Sequence, residues 1–284
     1  MSEQEIKAQV RQFYNQVGWQ MESEGFYQNA RYEDLRPVSR EYIHKCHLRV
    51  NRHIRSQGKY LLDAGSGPIQ YPEYLTYSAG YQHRLCVDIS IVALKEARKR
   101  IGEHGLFVVA DVANLPFKEE VFDGLVSLHT LHHLPFEDKA KAYAELYRVL
   151  MPGRSGVVVN GWTYSPLMAR SLWLVRLMER LGKLAQKPDG KPEEKANGKT
   201  APDAEKKPVG TFIHKQDMNW LRESVDGRRF EVFVWRSVSV RWLRAMIHSK
   251  LAGKLWLRLL FWLEERYPRY FGEKGQYPLV VIYK

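Results

Sequence analysis

The chain has little cysteine. Cys46 and Cys86 are its only two in 284 residues, and they lie far apart. Neither a disulfide framework nor a zinc site can be assembled from them, so no metal centre is expected and a reducing cytoplasm is the expected compartment. Long hydrophobic runs are missing too. Nothing approaches the roughly 18 uninterrupted apolar residues of a membrane span. The N-terminus, MSEQEIKAQV, lacks an apolar core, so no secretory signal is expected. There is no internal repeat. The first part of the chain also lacks net charge: residues 1–162 hold 20 Lys+Arg against 19 Asp+Glu.

What is present belongs to a soluble globular protein, with 44% hydrophobic and 27% charged residues. The length favours one α/β domain with an elaboration over two independent domains. The net charge of +12 is concentrated late, since residues 163–284 carry 24 Lys+Arg against 13 Asp+Glu. That half either faces something anionic (lipid, phosphorylated substrate or nucleic acid) or carries ordinary solubility charge.

The stretch Lys59 to Pro68, KYLLDAGSGP, organises the chain. Tyr60-Leu61-Leu62 reads as a buried strand, and Asp63 closes it. Gly65 and Gly67 then allow a sharp turn with no side chain in a ligand's way. Pro72 suits the first turn of a helix. Strand, glycine turn and helix together present backbone N–H groups to a nucleotide-like ligand. By itself this is also a tight turn of any α/β protein, because a third glycine is absent.

Two helices are expected first, over 3–20 and 38–55, joined by an aromatic and charged segment at 26–37. Strands and helices then alternate. RLCVD (84–88) is a strand ending in an acid, and Ser90 caps the helix 91–101. LFVVA (106–110) leads to Asp111, Phe122–Leu128 leads to His129, a helix covers 137–150, and 156–160 is the fifth strand. This pattern predicts a doubly wound, mostly parallel sheet with helices on both faces. Beyond Gly161 come a helix at 165–185 and a mobile, Lys/Glu/Pro/Gly/Ala-rich loop at 186–208. A short helix at 215–226, a strand at 230–240, a long apolar helix at 241–266 and a strand at 277–283 follow.

Asp63, Asp88, Asp111 and His129 all stand at carboxyl ends of successive strands, where doubly wound sheets bind ligands. An acid after the second strand can accept both ribose hydroxyls of a nucleoside. Asp111 can accept from an adenine amino group while Val112 packs on the ring. Each acid has a plainer reading as a cap or turn carboxylate.

DAGSGP, VDIS, ADVANLPF, FDGLVSLHTLHHL and ELYRVLMPGRSGVVV, in this order, resemble class I S-adenosylmethionine-dependent methyltransferases, and among these the ubiquinone/menaquinone-biosynthesis type. The resemblance covers residues 59–161 and implies a seven-stranded Rossmann-like methyltransferase fold with S-adenosylmethionine as cofactor and S-adenosylhomocysteine as product. Pro68, where many members have glycine, is a departure that stiffens the loop. By the same resemblance Asp63, Ala64, Gly65, Ser66 and Gly67 line the methionine end. Asp88 holds the ribose with Ile89 near the adenine, Asp111 and Val112 contact adenine, and Ser127 to His129 run beside the methionine. Methyl transfer from a sulfonium needs mainly alignment and exclusion of water, with a general base for a hydroxyl acceptor. His132 and His133 are the candidate bases, His129 is next, and all three can equally be structural lid residues. Tyr14, Trp19, Tyr32 and Arg36 are candidates to close over the cofactor, with Arg36 on its carboxylate.

The expected organisation is a helical cap at 1–58, a binding core at 59–161, a helical insertion at 162–229 and C-terminal strands at 230–284 holding the amphipathic helix 241–266. On that helix Lys250, Lys254 and Arg258 form one face and Leu251, Leu255, Leu259 and Trp262 another. Such a helix lies on an anionic membrane, packs as a lid, or forms a dimer face. The expected acceptor is a small molecule methylated on a hydroxyl oxygen, with a lipid-linked acceptor at a membrane surface as the alternative. RNA is disfavoured, because no RNA-binding module or asparagine-proline motif follows the fourth strand.

Overall fold

The computed structural model describes residues 2–19, 33–185, 211–225 and 227–284. The loop expected at 186–208, and Tyr32 with the rest of 26–32, lie outside these residues. Helix α1 (Glu3–Phe13) opens with a reciprocal cap in which Ser2 and Glu5 satisfy each other's backbone N–H. It continues as one π-helical turn, Tyr14–Gly18, rather than as a regular helix to residue 20. Helix α2 (Arg40–Leu48) is shorter than the expected 38–55 and tightens into a 3₁₀ turn over Arg49–Arg52.

The alternating part is β1 (Gly58–Ala64), α3 (Pro72–Leu75), β2 (Tyr81–Asp88), α4 (Ile91–Ile101), β3 (Gly105–Val109), β4 (Gly124–Leu128), α5 (Phe136–Val149) and β5 (Ser155–Val159). Then follow α6 (Pro166–Ala185), α7 (Met218–Ser224), β6 (Arg229–Arg236), α8 (Val240–Met246), α9 (Gly253–Arg266), α10 (Pro268–Lys274) and β7 (Tyr277–Tyr283). The sheet has the expected seven strands, in the order β3-β2-β1-β4-β5-β7-β6. The first five are parallel, and β7 runs antiparallel between β5 and β6.

Period-two alternation divides the core. Leu62, Ala64, Leu125 and Val158 face α5 and α7, through Ala142, Tyr143, Leu146 and Leu221. Leu61, Val126 and Val157 face the opposite layer, with Leu94 and Ala97 of α4 and Tyr74 and Tyr77 at α3. A third cluster joins α2 to α8 and α9.

The helix expected over 241–266 is two helices. Helix α8 ends at Met246, and Ala252 takes the left-handed conformation (φ 55°) before α9 starts. Gly253 explains the bend: a Cβ there would lie 2.7 Å from the His248 carbonyl oxygen and 3.0 Å from Val38. Lys250 therefore falls in the connecting turn, off the face that carries Lys254 and Arg258. Among the described residues no helix is long and apolar enough to cross a membrane.

Candidate active site

A crevice opens at the carboxyl ends of β1, β2 and β4, beneath α1. Gly65 (φ 76°) and Gly67 (φ 55°) form its rim, in a region where side chains are disfavoured. A Cβ on Gly65 would fall 2.1 Å from the Thr130 methyl, and one on Gly67 would meet the Trp19 ring at 3.1 Å. The loop is held by the next strand, since the N–H groups of Gly65 and Ser66 both donate to the Val87 carbonyl.

Asp88 lies at the floor of the rim. Its carboxylate accepts the Gly67 N–H at 2.9 Å and the Ser90 N–H at 2.8 Å. It is 9% exposed, and burial raises its pKa to about 6 against the pull of those two donors. Ile89, Ala110, Val112 and Leu134 supply apolar wall nearby. Asp111 also lines the crevice and is clamped from α1: Lys7 Nζ donates to it at 2.5 Å and pairs with the buried Asp138 at 2.5 Å.

The expected residues do not all reach this place. Gly65, Ser66, Gly67, Asp88, Ile89, Asp111, Val112, His129 and Tyr14 line the crevice. Asp63, Ala64, Ser127 and Arg36 do not. Asp63 is not a terminal acid but a residue within β1. Alternation turns it with Leu61 toward α3, where the buried Arg84 guanidinium holds it at 2.9 and 2.5 Å. Ala64 packs into the core, and Ser127 is buried with its hydroxyl donating to the Ala64 carbonyl. Arg36 is folded back on Asp34 and donates to the carbonyls of Leu243 and Ile247 at the end of α8. Lys7, Gln70, Tyr74 and Thr130 were not foreseen as lining residues. Thr130 carried a signal, because it lies inside the LHTLHHL segment.

The three histidines form a cluster after β4. His129 bends the chain out of the sheet in the left-handed region (φ 57°), its N–H held by the Val159 carbonyl at 2.7 Å. His133 donates from Nδ1 to the Phe212 carbonyl at 2.8 Å, which leaves Nε2 as acceptor for the Tyr14 hydroxyl at 2.7 Å. His132 donates from Nδ1 to Asn160 Oδ1 at 3.1 Å, so its Nε2 keeps a lone pair. Burial lowers all three, His129 to about 3 and His133 to about 4, so each ring is neutral at pH 7.

A second cavity adjoins the first. The two share Tyr14, Gln70, Tyr74, His129 and His133, and the second adds His132, Glu33, Lys215, Arg236 and Tyr277. The two cavities therefore adjoin at an aromatic and imidazole boundary.

A family model described as a methyltransferase domain matches residues 62–158. The chain is similar to the tRNA (carboxymethyluridine(34)-5-O)-methyltransferase of Arabidopsis thaliana, 30% identical over 44% of this chain and 33% of that protein. It is similar to the ubiquinone/menaquinone biosynthesis C-methyltransferase of Marinomonas sp. (strain MWYL1), 28% identical over 55% of this chain and 65% of the relative. The chain thus spans a third to just under two thirds of the length of these two relatives. The fold resembles phosphoethanolamine N-methyltransferase 1 of Haemonchus contortus, with a TM-score of 0.58 at 10% identity over the whole of this chain and half of that one. Residues 62–158 thus match a methyltransferase domain, and the sheet around them has the fold of the class I, S-adenosylmethionine-dependent methyltransferases.

Proposed function

We propose that this chain uses its methyltransferase domain to move a methyl group from S-adenosylmethionine to a hydroxyl oxygen of a small-molecule acceptor. The observation that carries this reading is the pair of adjoining cavities, one rimmed by Gly65 and Gly67 and the other holding His132. The residues of the first fit the donor: a rim whose two glycines carry no side chain of their own, a carboxylate at Asp88 for ribose hydroxyls, and Ile89 and Val112 as apolar walls for a purine. Bound S-adenosylmethionine supplies a methyl group already activated on a sulfonium.

The chain's own contribution is alignment and the proton. His132 Nε2, with its tautomer set by Asn160, accepts the hydroxyl hydrogen of the acceptor and takes the proton as the oxygen gains the methyl group. An imidazole held so far below its usual pKa is a weak base, so its main effect is to orient the hydroxyl lone pair toward the methyl carbon. Tyr14, fixed by His133, and the aromatic walls exclude water between the cavities.

A second reading, a lipid-linked acceptor at the membrane surface, is favoured by one observation: the apolar face of α9 is uncovered. Leu255 is 66% exposed, Trp256 59% and Trp262 60%, beside Lys254 and Arg258. A quinone with a polyprenyl tail, the acceptor type of the ubiquinone/menaquinone branch, suits this reading. Either acceptor is consistent with a cytoplasmic enzyme. The test is transfer of labelled methyl to small-molecule, lipid and RNA pools of a lysate, kept apart. Label is expected in the small-molecule pool, and His132→Gln is expected to lower kcat by about 10²-fold or more with S-adenosylhomocysteine affinity unchanged. Label confined to lipid replaces the first reading with the second, and label confined to RNA sinks both.

A further inference from the structure

The second cavity holds more positive charge than its own carboxylate cancels. Among the described residues Glu33 is the only acidic side chain lining it, and Glu33 is already taken. The buried Arg236 guanidinium bonds to it, His47 lies 3.7 Å away, and together they hold its pKa down at about 2. Arg236 and Glu33 thus cancel. Lys215 remains. Among the described residues no carboxylate offsets it, and burial alone acts on its pKa, downward.

Lys215 is positioned, not loose. Its segment is pinned on both sides: the His214 N–H donates to the His132 carbonyl at 2.8 Å, and the Thr163 N–H donates to the Gln216 carbonyl at 3.0 Å. The Gln216 side chain is anchored on the Tyr143 hydroxyl at 2.8 Å. The lysine stem crosses Gly161, where an added Cβ would come within 3.3 Å of Nζ, and Gly161 in turn abuts the Tyr277 ring. Arg236 lies over that same ring, 4.6 Å from its centroid. Lys215 and Arg236 thus both line the cavity, one beside Gly161 and the other over Tyr277. Three more buried atoms of cavity-lining residues lack a partner among the described residues: two are donors, Arg236 Nε and the Thr211 hydroxyl, and one is an acceptor, Gln70 Oε1, which an anion would leave to another group of the ligand. Arg236 is 2% exposed, so this donor is held out of water beside the cavity.

A cation without a counter-ion and buried donors without acceptors disfavour the unliganded state. An anion on a ligand would relieve all of them together. We infer that the acceptor cavity contains an anion subsite, in which Lys215, backed by Arg236 and Thr211, takes a phosphate or carboxylate carried by the acceptor. This deepens the methyltransferase reading and rests on it for the word acceptor. The subsite itself stands on the lysine, the arginine and the cavity.

The test is calorimetry on the full chain. S-adenosylhomocysteine is titrated first, which checks the donor crevice alone. Phenyl phosphate, benzoate and uncharged phenol are then titrated into the loaded protein. At least one of the two anions is expected to bind about tenfold or more tighter than phenol, as for a charge-assisted contact. K215Q is expected to remove that advantage while S-adenosylhomocysteine affinity stays the same, and K215R, which keeps the charge and controls for folding, is expected to retain most of it. Equal binding of anions and phenol, or an undiminished anion preference in K215Q, overturns the proposal. If S-adenosylhomocysteine does not bind, the donor reading falls, and the same titrations on the donor-free chain decide the subsite by the same two criteria. Dihexanoyl phosphatidic acid separates the sources: Lys215-dependent binding tighter than phenyl phosphate marks a lipid headgroup, and no gain marks a free anion.

Discussion

Asp88 is charged at neutral pH in a place that disfavours charge. Its pKa lies near 6, above the ordinary carboxylate value, so the folded chain holds this proton more tightly than the unfolded chain does. The sign follows: protonated Asp88 favours the folded state at low pH, and that contribution is lost as pH rises through 6. Asp88→Asn removes that charge but also one of the two oxygens that accept from Gly67 and Ser90, so the melting temperature of the donor-free chain at pH 7.5 is expected to hold or fall. The same substitution is expected to weaken S-adenosylhomocysteine by about 1–3 kcal/mol, because the charged hydrogen-bond partner is gone. For the parent chain, affinity should fall about tenfold per unit below pH 6, where the carboxylate must lose a proton to accept from hydroxyls. Calorimetry across pH 5 to 8 checks both, and a flat profile would remove Asp88 from the ribose site. Asp88, Asp111 and the two glycines were legible in the sequence because their geometry is local: an acid or glycine next to a strand end. Asp63 was misread for the opposite reason. Its fate is set by Arg84 on the neighbouring strand, and a strand end estimated one residue early turns the carboxylate to the wrong face.

At the scale of elements, α1 is fastened over the crevice by one charged contact with a buried and a half-buried partner. Lys7 reaches Asp111 and Asp138 more than a hundred residues away, and its own pKa is raised by them despite desolvation. Lys7→Met keeps the helix and its cap but leaves Asp138 to Lys141 alone. The expected result is faster amide exchange across residues 3–13, with exchange in β1, β2 and β4 unchanged. Unchanged protection of α1 would show that Ile6, Val10 and Phe13 hold it without the lysine. The division of residues 241–266 into α8 and α9 was hidden in the sequence, because apolar residues continue through the bend at helical spacing. The steric demand at Gly253 comes first from the His248 carbonyl and Ile247, which close on it only once the chain has bent, and then from the distant Val38. The strand count was recoverable from alternation, and the direction of β7 was not, since a lone apolar strand carries no mark of its neighbours.

For the whole molecule, the late-lying charge has a counterpart in shape. Beyond residue 162 lie α6 and α9, whose outward faces carry Trp173, Leu177, Leu255, Trp256, Leu259 and Trp262 without cover among the described residues. Aromatic side chains with lysine and arginine beside them suit an anionic lipid surface. Flotation with vesicles of anionic phospholipid at low salt is expected to carry the protein, and the double substitution of Trp256 and Trp262 to Ser is expected to abolish this with donor affinity intact. Absence of flotation in the parent chain would leave the small-molecule reading alone. The strand order has another outcome. Strand β7 is encoded after both β5 and β6, yet it is the strand that joins them. During synthesis those two edges wait bare until it arrives, each able to recruit a stray strand from another chain. A substitution that slows the arrival or docking of β7 should therefore reveal itself as insoluble product and a need for chaperones well before it alters any property of the finished protein.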